Sequence, residues 1–534
     1  MMSKGPWKRG TNPRLMVVSN RLPVRLVERE DGTEEVRASS GGLVTALRPV
    51  LNRRGGSWTG WPGTCGRSWQ TLQQLVDQAD ARFDLMPVPL TIRERDDYYL
   101  GFSNQALWPL FHGFPSKVEF RPEQWSAYQA VNWKFGRLLA PGRRKDSIWI
   151  QDYHLMLMAQ ALRLQGCRLR LGFFLHTPFP SPDVLQELPT HKEILQGLLH
   201  FDALGFQTER DRHNFQEALD RIPLKAVRPD RSGRLGSAVP SAASRPISVD
   251  FDEWSEAAAS SAVTRRVREI RESLDPVTHL LLGVDRLDYT KGIPAKLRGL
   301  RKALRDDPEL RGKVKLIQLV VPSREGIPAY QEEKARIDKL FSGINEELGT
   351  EDWQPVQLIH GEWDREELMA HYRAADVALV TPIRDGMNLV SKEFCAARVQ
   401  EPGSLVLSKH AGAANQLGGG AVLVEPQDDE DVARGIRIVV GFTLREARER
   451  MAKMRRSVLE EDVHWWAESS LRAMEEVGLK RTRTPREVVR WKPARSQGVN
   501  LPPVPPDSGS THDIAGMTRT RGTTLPKRPV RPGA

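Results

Sequence analysis

Residues that could bind or stabilise charge cluster first around Thr381–Phe394, which reads T-P-I-R-D-G-M-N-L-V-S-K-E-F. An apolar run, Val377 to Val380, leads into it as a buried strand would, and Arg384-Asp385-Gly386 has the composition of a turn. Leu389, Lys392 and Glu393 then recur at one helical turn. A strand, a glycine turn and a helix start make an anion site, because the first helical N–H groups are free and the dipole favours negative charge there. Asp385 stands just before those donors. Glu393 lies about two turns along, where a carboxylate could hold a sugar hydroxyl of a bound nucleotide. Taken alone, the stretch is equally well a capped surface turn.

Other groups narrow the choice. Arg286 and Lys291 are five residues apart beside Asp288 and Gly292. A guanidinium offers phosphate a fork of donors and an ammonium a point charge, so the pair suits a diphosphate. Ser39-Ser40-Gly41-Gly42-Leu43 and Ser408 to Ala414 are small-residue loops before helical patterns, where a phosphate can approach the backbone. Polar residues also follow apolar runs at Ser19-Asn20-Arg21, Gln151-Asp152-Tyr153-His154, His176-Thr177-Pro178 and Pro322-Ser323-Arg324. No Gly-x-Gly-x-x-Gly follows the first run, which argues against a dehydrogenase, and no Walker loop is present, which argues against a P-loop kinase. The cysteines Cys65, Cys167 and Cys395 are scattered without metal or disulfide spacing, and no His/Cys/Asp cluster points to a metal.

These groups need strand ends to carry them. Leu15–Arg21, Ser57–Trp61, Ser147–Ile150 and Arg170–Leu175 read as strands of one series. His279–Val284, Val314–Val321, Val356–Ile359, Val377–Val380, Ser404–Leu407 and Val422–Val424 form a second. Helical stretches such as Leu155–Leu164 fall between, which is the α/β alternation, and ligands bind at the carboxyl ends of such strands. The expected fold is therefore two Rossmann-like doubly wound domains facing a cleft. Val27 to Arg37 reads as a hairpin-like insert. Asp96 to Tyr99 and Leu107 to Pro109 read as aromatic-rich loops, and Arg228 to Arg245 as a mobile loop near a domain boundary. The expected division is a first domain at 1–245, a second at 246–460, a helix at 461–480 packing back on the first domain, and a disordered basic Pro-rich tail at 481–534.

A chain of 534 residues is too long for one core. Its net charge of +11 invites a nucleic-acid reading. Between Lys480 and Ala534, however, twelve Lys or Arg and three Asp or Glu contribute +9, leaving +2 for the rest of the chain. The body is nearly neutral, so no nucleic-acid partner is expected there. No apolar run approaches the roughly 20 residues that span a membrane, and no signal core follows Met1 to Arg14. A cytoplasmic enzyme is expected.

With these residues assembled, the chain resembles the trehalose-6-phosphate synthase family, retaining glycosyltransferases of the two-Rossmann-domain (GT-B) type. The resemblance rests on Val18 to Arg21, Gly41-Gly42-Leu43, Trp58 to Gly63, Tyr98-Tyr99, Asn104 to Pro109, Asp152 to Leu155, Gly172 to Pro180, Asp285 to Gly292, Pro322 to Arg324, Arg384 to Glu393 and Ala411 to Ala414. These occur in the family's order from about residue 15 to about 475.

The resemblance implies transfer of glucose from a nucleotide-glucose, usually UDP-glucose, to glucose 6-phosphate, giving α,α-trehalose 6-phosphate without a cofactor or metal. It implies that Arg21, Tyr99, Trp108 and Arg324 hold the acceptor phosphate and that Asp152 binds acceptor hydroxyls. Gly42 would lie by the donor phosphates, Arg286 and Lys291 on the diphosphate, and Glu393 on the ribose. His176 and Asp385 would contact the donor glucose, with the backbone of Gly386, Met387, Asn388, Leu389 and Val390 completing that site. Retention without a paired carboxylate nucleophile implies same-face reaction assisted by the leaving phosphate, with Arg286, Lys291, His176 and Asp385 as the catalytic set. Two positions depart from the family: Gln151 stands where His is usual, and Trp363 where Phe is expected near the base. A glucosylglycerol-phosphate synthase acting on glycerol 3-phosphate, and an inactive sugar-phosphate-binding subunit, are the competing readings. The donor base and a homo-oligomeric state are left open.

Overall fold

The computed structural model describes residues 14–28, 34–39, 41–139, 146–224, 240–274, 279–324, 327–399 and 402–480. The strands are β1 (Leu15–Arg21), β2 (Val24–Glu28), β3 (Glu34–Ala38), β4 (Ser57–Trp61), β5 (Asp84–Pro87), β6 (Ser147–Gln151), β7 (Arg170–Phe174), β8 (Ala203–Phe206) and β9 (Ser241–Ser244), followed by β10 (His279–Arg286), β11 (Val314–Val321), β12 (Val356–His360), β13 (Val377–Val380), β14 (Ser404–Ser408) and β15 (Val422–Val424). The first sheet runs β5-β4-β1-β6-β7-β8-β9 and the second β12-β11-β10-β13-β14-β15, and all their pairings are parallel. Parallel strands need crossover connections, and helices on both faces explain why their apolar runs are continuous rather than alternating.

Strand order reverses at β1/β6 in the first sheet and at β10/β13 in the second. Diverging connections open a crevice at the carboxyl ends of such neighbours. Arg21 closes β1, Asp152 follows β6, Arg286 closes β10, and Arg384 to Gly386 follow β13. The chemistry-bearing residues therefore sit at the two positions where an open α/β sheet holds a ligand.

The charged insert forms an antiparallel pair, β2 with β3, as its alternation suggests. Two loop expectations change. Residues 95–107 form a π-helix that passes into an α-helix at Trp108–Phe111. Tyr98, Phe102 and Ala106 on it are buried, so this aromatic-rich stretch is a packed helix rather than a loop. At Arg228–Arg245, Ser241–Ser244 is an edge strand, although Ser-Ala-Ala-Ser has no β-branched or aromatic residue. Backbone pairing with β8 makes it a strand. Residues 225–239 and the basic tail from residue 481 lie outside the described residues.

The helix Val463–Lys480 lies against the first sheet. Trp466 is fully buried against Trp149 and Phe174, with ring centroids 4.8 and 5.1 Å away, and Met474 fills the space left by Gly172 on β7. Among the described residues no helix is long and apolar enough to cross a membrane.

Candidate active site

Arg21 leaves the end of β1 and lays its guanidinium 4.5 Å from the centre of the Trp61 ring. A side chain on Gly63 (φ 99°) would strike that guanidinium, so the glycine leaves its berth open. Tyr99 stands edge-on to Trp61 at 5.7 Å and stacks on His154 at 5.9 Å, because the π-helix aims it into the cleft. Asp152 follows β6 with φ 74°, and its Oδ1 accepts the His176 N–H at 3.2 Å. Burial pushes the Asp152 carboxyl up to about 6, against the opposing effect of N–H groups from Tyr153 and His176 and of Arg324 and Arg286.

Arg324 reaches across from the second sheet. Its guanidinium lies 4.1 Å from the Trp108 ring centre, donates to Tyr330 Oη at 2.6 Å and approaches Tyr153 Oη at 3.4 Å. Asp288, wholly buried, lies 3.5 Å from Arg324 and 3.7 Å from Arg286. Burial would raise the Asp288 pKa, but Arg324, Arg286 and Lys291 outweigh it and hold the carboxyl below its ordinary value. One buried anion thus orients two cations over the same indole, since Arg286 lies 5.6 Å from the Trp108 ring. Arg286 remains nearly half exposed and open to a ligand.

Lys291 Nζ meets Asp385 Oδ2 at 2.5 Å, and Asn388 Nδ2 donates to the same oxygen at 3.3 Å. Burial would raise the Asp385 pKa; Lys291 overrides it, so Asp385 is an ion-paired carboxylate rather than a free nucleophile. Asn388, at φ 83°, caps the helix Leu389–Ala397 by accepting the Ser391 N–H at 3.1 Å. That bond leaves the N–H groups of Leu389 and Val390 ahead of the first intrahelical turn. The Met387 side chain is buried in the core, so only its backbone faces the turn. Gly386 packs directly on the main chain beyond β7, where an added Cβ would fall 2.0 Å from the His176 carbonyl oxygen. A Cβ on Gly42 would fall 2.8 Å from Leu389 Cδ1, which joins the Gly-Gly-Leu loop to the same helix start.

Asp152, Arg324 and Asn388 are the non-glycine residues with positive φ among those described. Each such conformation costs on the order of 1–3 kcal/mol and persists where the surroundings fix it. All three border this cleft.

Glu393 stands apart from the charged cluster, one turn into its helix, and accepts the Tyr372 hydroxyl at 2.9 Å. Burial pushes its carboxyl up to about 7. Trp363 stacks on His371, next to Tyr372, with ring centroids 3.9 Å apart. His176, expected on the donor glucose, is held through its ring by the protein. Its Nε2 lies 2.9 Å from Gln151 Oε1, and its Nδ1 lies 3.5 Å from Gln207 Nε2. Gln207 Oε1 accepts the Ile247 N–H, so its amide nitrogen faces the ring and the imidazole is the Nε2–H tautomer. Burial pushes the His176 pKa down to about 3, which keeps the ring neutral. Both ring nitrogens have partners in the protein. Gln151 thereby gains a role as the ring's acceptor.

Tyr153, Asp288 and Tyr330 were missed as site residues. Asp288 had a signal, since it lies between Arg286 and Lys291. Tyr330 had none, because it lies in the first turn of a long helix, Pro328–Leu348, where nothing local marks it. Among the described residues no group of His, Cys, Asp and Glu is placed to hold a metal ion.

The family model described as Glycosyltransferase family 20 matches residues 13–476. The alpha,alpha-trehalose-phosphate synthase [UDP-forming] of Schizosaccharomyces pombe is 36% identical over 501 residues, covering 91% of this chain and 96% of its own length. The crystal structure of an alpha,alpha-trehalose-phosphate synthase (UDP-forming) from Burkholderia xenovorans in complex with glucose-6-phosphate superposes with a TM-score of 0.76 at 34% identity, covering 86% of this chain and 100% of that one. The E. coli protein bound with UDP-2-fluoro glucose also gives 0.76, at 33% identity, covering 87% and 99%. With the family model spanning most of its length and the same two-sheet fold in its relatives, this chain belongs to glycosyltransferase family 20.

Proposed function

We propose that the chain transfers glucose from UDP-glucose to glucose 6-phosphate with retention, releasing UDP and forming α,α-trehalose 6-phosphate. The observation that carries this is the meeting of two cationic sets across one cleft: Arg21 and Arg324 against aromatic walls, and Arg286 with Lys291 at the second sheet's switch point. The Schizosaccharomyces pombe and Burkholderia xenovorans relatives are named as UDP-forming trehalose-phosphate synthases, the latter in complex with glucose-6-phosphate, and the E. coli structure holds UDP-2-fluoro glucose.

In this reading residues 1–245 receive the acceptor and residues 246–460 the donor. Arg21, Tyr99, Trp108 and Arg324 hold the acceptor phosphate, and Asp152 accepts from its hydroxyls. Arg286 and Lys291 take the diphosphate, with Gly42 beside it. Binding would draw Lys291 from Asp385 towards phosphate and free that carboxylate for glucose hydroxyls. The backbone from Gly386 to Val390 completes the glucose site, and Glu393 accepts from the ribose. The glucosyl C1–O bond to the diphosphate breaks while the acceptor hydroxyl oxygen bonds to C1 on the same face, and its proton passes to the departing phosphate oxygen. Arg286 and Lys291 stabilise the charge that develops there, and the cleft supplies orientation. Paired with Lys291, Asp385 is poorly suited to act as a covalent nucleophile.

The test is product analysis with UDP-, ADP- and GDP-glucose against glucose 6-phosphate and glycerol 3-phosphate. Trehalose 6-phosphate from UDP-glucose is the expected result. Glucosylglycerol phosphate, or no product from any pair, would overturn the reading.

A further inference from the structure

A cavity of 490 Å³ opens between loops of the two sheets, behind the Arg384–Gly386 turn. Of the residues given substrate roles above, only Asp385 lines it. Backbone contact separates it from the substrate cleft: Gly386 packs on the His176 carbonyl, and a Cβ on Gly412 would fall 1.9 Å from the Gly386 oxygen. The volume lies within the ordinary range for small-molecule sites.

The charges around it are unevenly satisfied. Asp211 accepts the Phe179 and Thr208 N–H groups and the Thr208 hydroxyl, and Asp385 is taken by Lys291. Glu209 accepts from Ser244 and Arg212, and Lys409 is offset by Glu425. Arg210 and Arg384 also line the cavity, and neither forms an ion pair or hydrogen bond with a described residue. Burial lowers the Arg384 pKa and the nearby Arg210 charge lowers it further, against the opposing effect of the Asp211 carboxylate. The carboxylate near both guanidinium groups is Asp211, already engaged by Phe179 and Thr208, and Glu461 on the same lining accepts from Gln416, so a phosphate dianion could receive both free forks. Ser244 and Asn415 on the same wall suit hydroxyls.

We propose that this cavity is a second, non-catalytic site for a small phosphorylated sugar or polyol, gripped by Arg210 of one sheet's loops and Arg384 of the other's. Arg384 directly precedes Asp385, and Arg210 lies in the first turn of the helix Glu209–Arg221 on the first sheet. An anion bridging them holds the glucose-binding turn against the first sheet, so occupancy tightens donor binding.

Calorimetric titration of the full chain with sorbitol 6-phosphate, and separately with inorganic phosphate, tests this, with wild type compared with Arg210→Gln. Arg210 is exposed, so the variant keeps the fold, and its melting temperature checks that. Wild type should show a binding event that Arg210→Gln weakens at least about tenfold, as loss of a charge-assisted contact does. The KM for glucose 6-phosphate should be the same in both proteins. A response to sorbitol 6-phosphate alone identifies a polyol phosphate as the ligand class, and equal responses identify the phosphate group as sufficient. Saturating probe should lower the KM for UDP-glucose at least about twofold in wild type and not in Arg210→Gln. Absence of any binding event sensitive to Arg210→Gln would overturn the site. Such an event without a change in KM would overturn the coupling.

Discussion

Lys291→Met removes the ammonium at the centre of the second sheet's switch point and keeps most of the side chain's stem. Two separable losses follow. In the free protein Asp385 loses the partner 2.5 Å away and retains Asn388 and the weaker influence of His112 and Arg286. Breaking a buried pair on one side costs about 3–5 kcal/mol, and the 12% and 14% exposures here let water recover part of it, so about 2 kcal/mol of stability is expected to go. The Asp385 pKa is depressed in the folded protein, so this contribution is full above the unfolded carboxyl value of about 3.9 and fades as pH falls through the folded value. Wild type and variant should therefore differ in melting temperature at pH 7 and converge in acid. During reaction the variant also lacks one donor to the departing diphosphate, worth about 3 kcal/mol or roughly 10²-fold in kcat. Initial rates of UDP release at saturating glucose 6-phosphate measure the second loss and thermal denaturation the first. Lys291→Met/Asp385→Asn separates them, because removing the stranded charge should restore stability and leave turnover low. Near-normal kcat in Lys291→Met, or recovery of turnover in the double variant, would refute the charge-stabilisation argument.

Glu393, pushed up to about 7 by burial, weakens the folded state progressively as pH rises from the unfolded value towards 7. Glu393→Gln should stabilise the ligand-free protein by on the order of 2 kcal/mol at pH 8 and not at pH 4, while raising the KM for UDP-glucose at pH 8. Gly386→Ala forces a Cβ to within 2.0 Å of the His176 carbonyl, so kcat/KM should fall at least ~10²-fold, as it does when reacting groups are displaced by about an ångström. Gly42→Ala meets only the movable end of Leu389 and should cost less than about tenfold on the same assay. His176→Ala should lower kcat/KM through lost positioning, and wild type should show no inflection from His176 between pH 5 and 9, because its ring titrates near 3. An inflection in that range abolished by His176→Ala would show that the ring takes part in proton transfer.

Much of the fold was legible because parallel strands buried on both faces write themselves as short apolar runs. All six strands of the second sheet appear where Val, Leu and Ile cluster. The polar residues at their ends marked the site for the same reason, since chemistry in such sheets gathers where strands stop. β9 was not legible, because Ser-Ala-Ala-Ser is a strand only through its neighbour. The π-helix was read as loop, because its winding departs from the helical period. Tyr330 and Gln207 were invisible as site residues, because nothing local distinguishes a phenol that holds Arg324 or an amide that fixes the His176 ring.

The sequence by itself determined the class of chemistry: cations, a capped glycine turn and small-residue loops at strand ends, in an order that the family shares. Those are local properties, set by residue type and short spacing. Only the tertiary structure decided how each group is used. It pairs Lys291 with Asp385 across 94 residues, buries Asp288 beneath two arginines and commits both nitrogens of His176 to glutamines. Among the described residues it also leaves Arg210 and Arg384 without an ion pair at a cavity beside the cleft. Charge state and availability depend on burial and on partners far away in the chain, and these exist only once the two sheets have closed on each other.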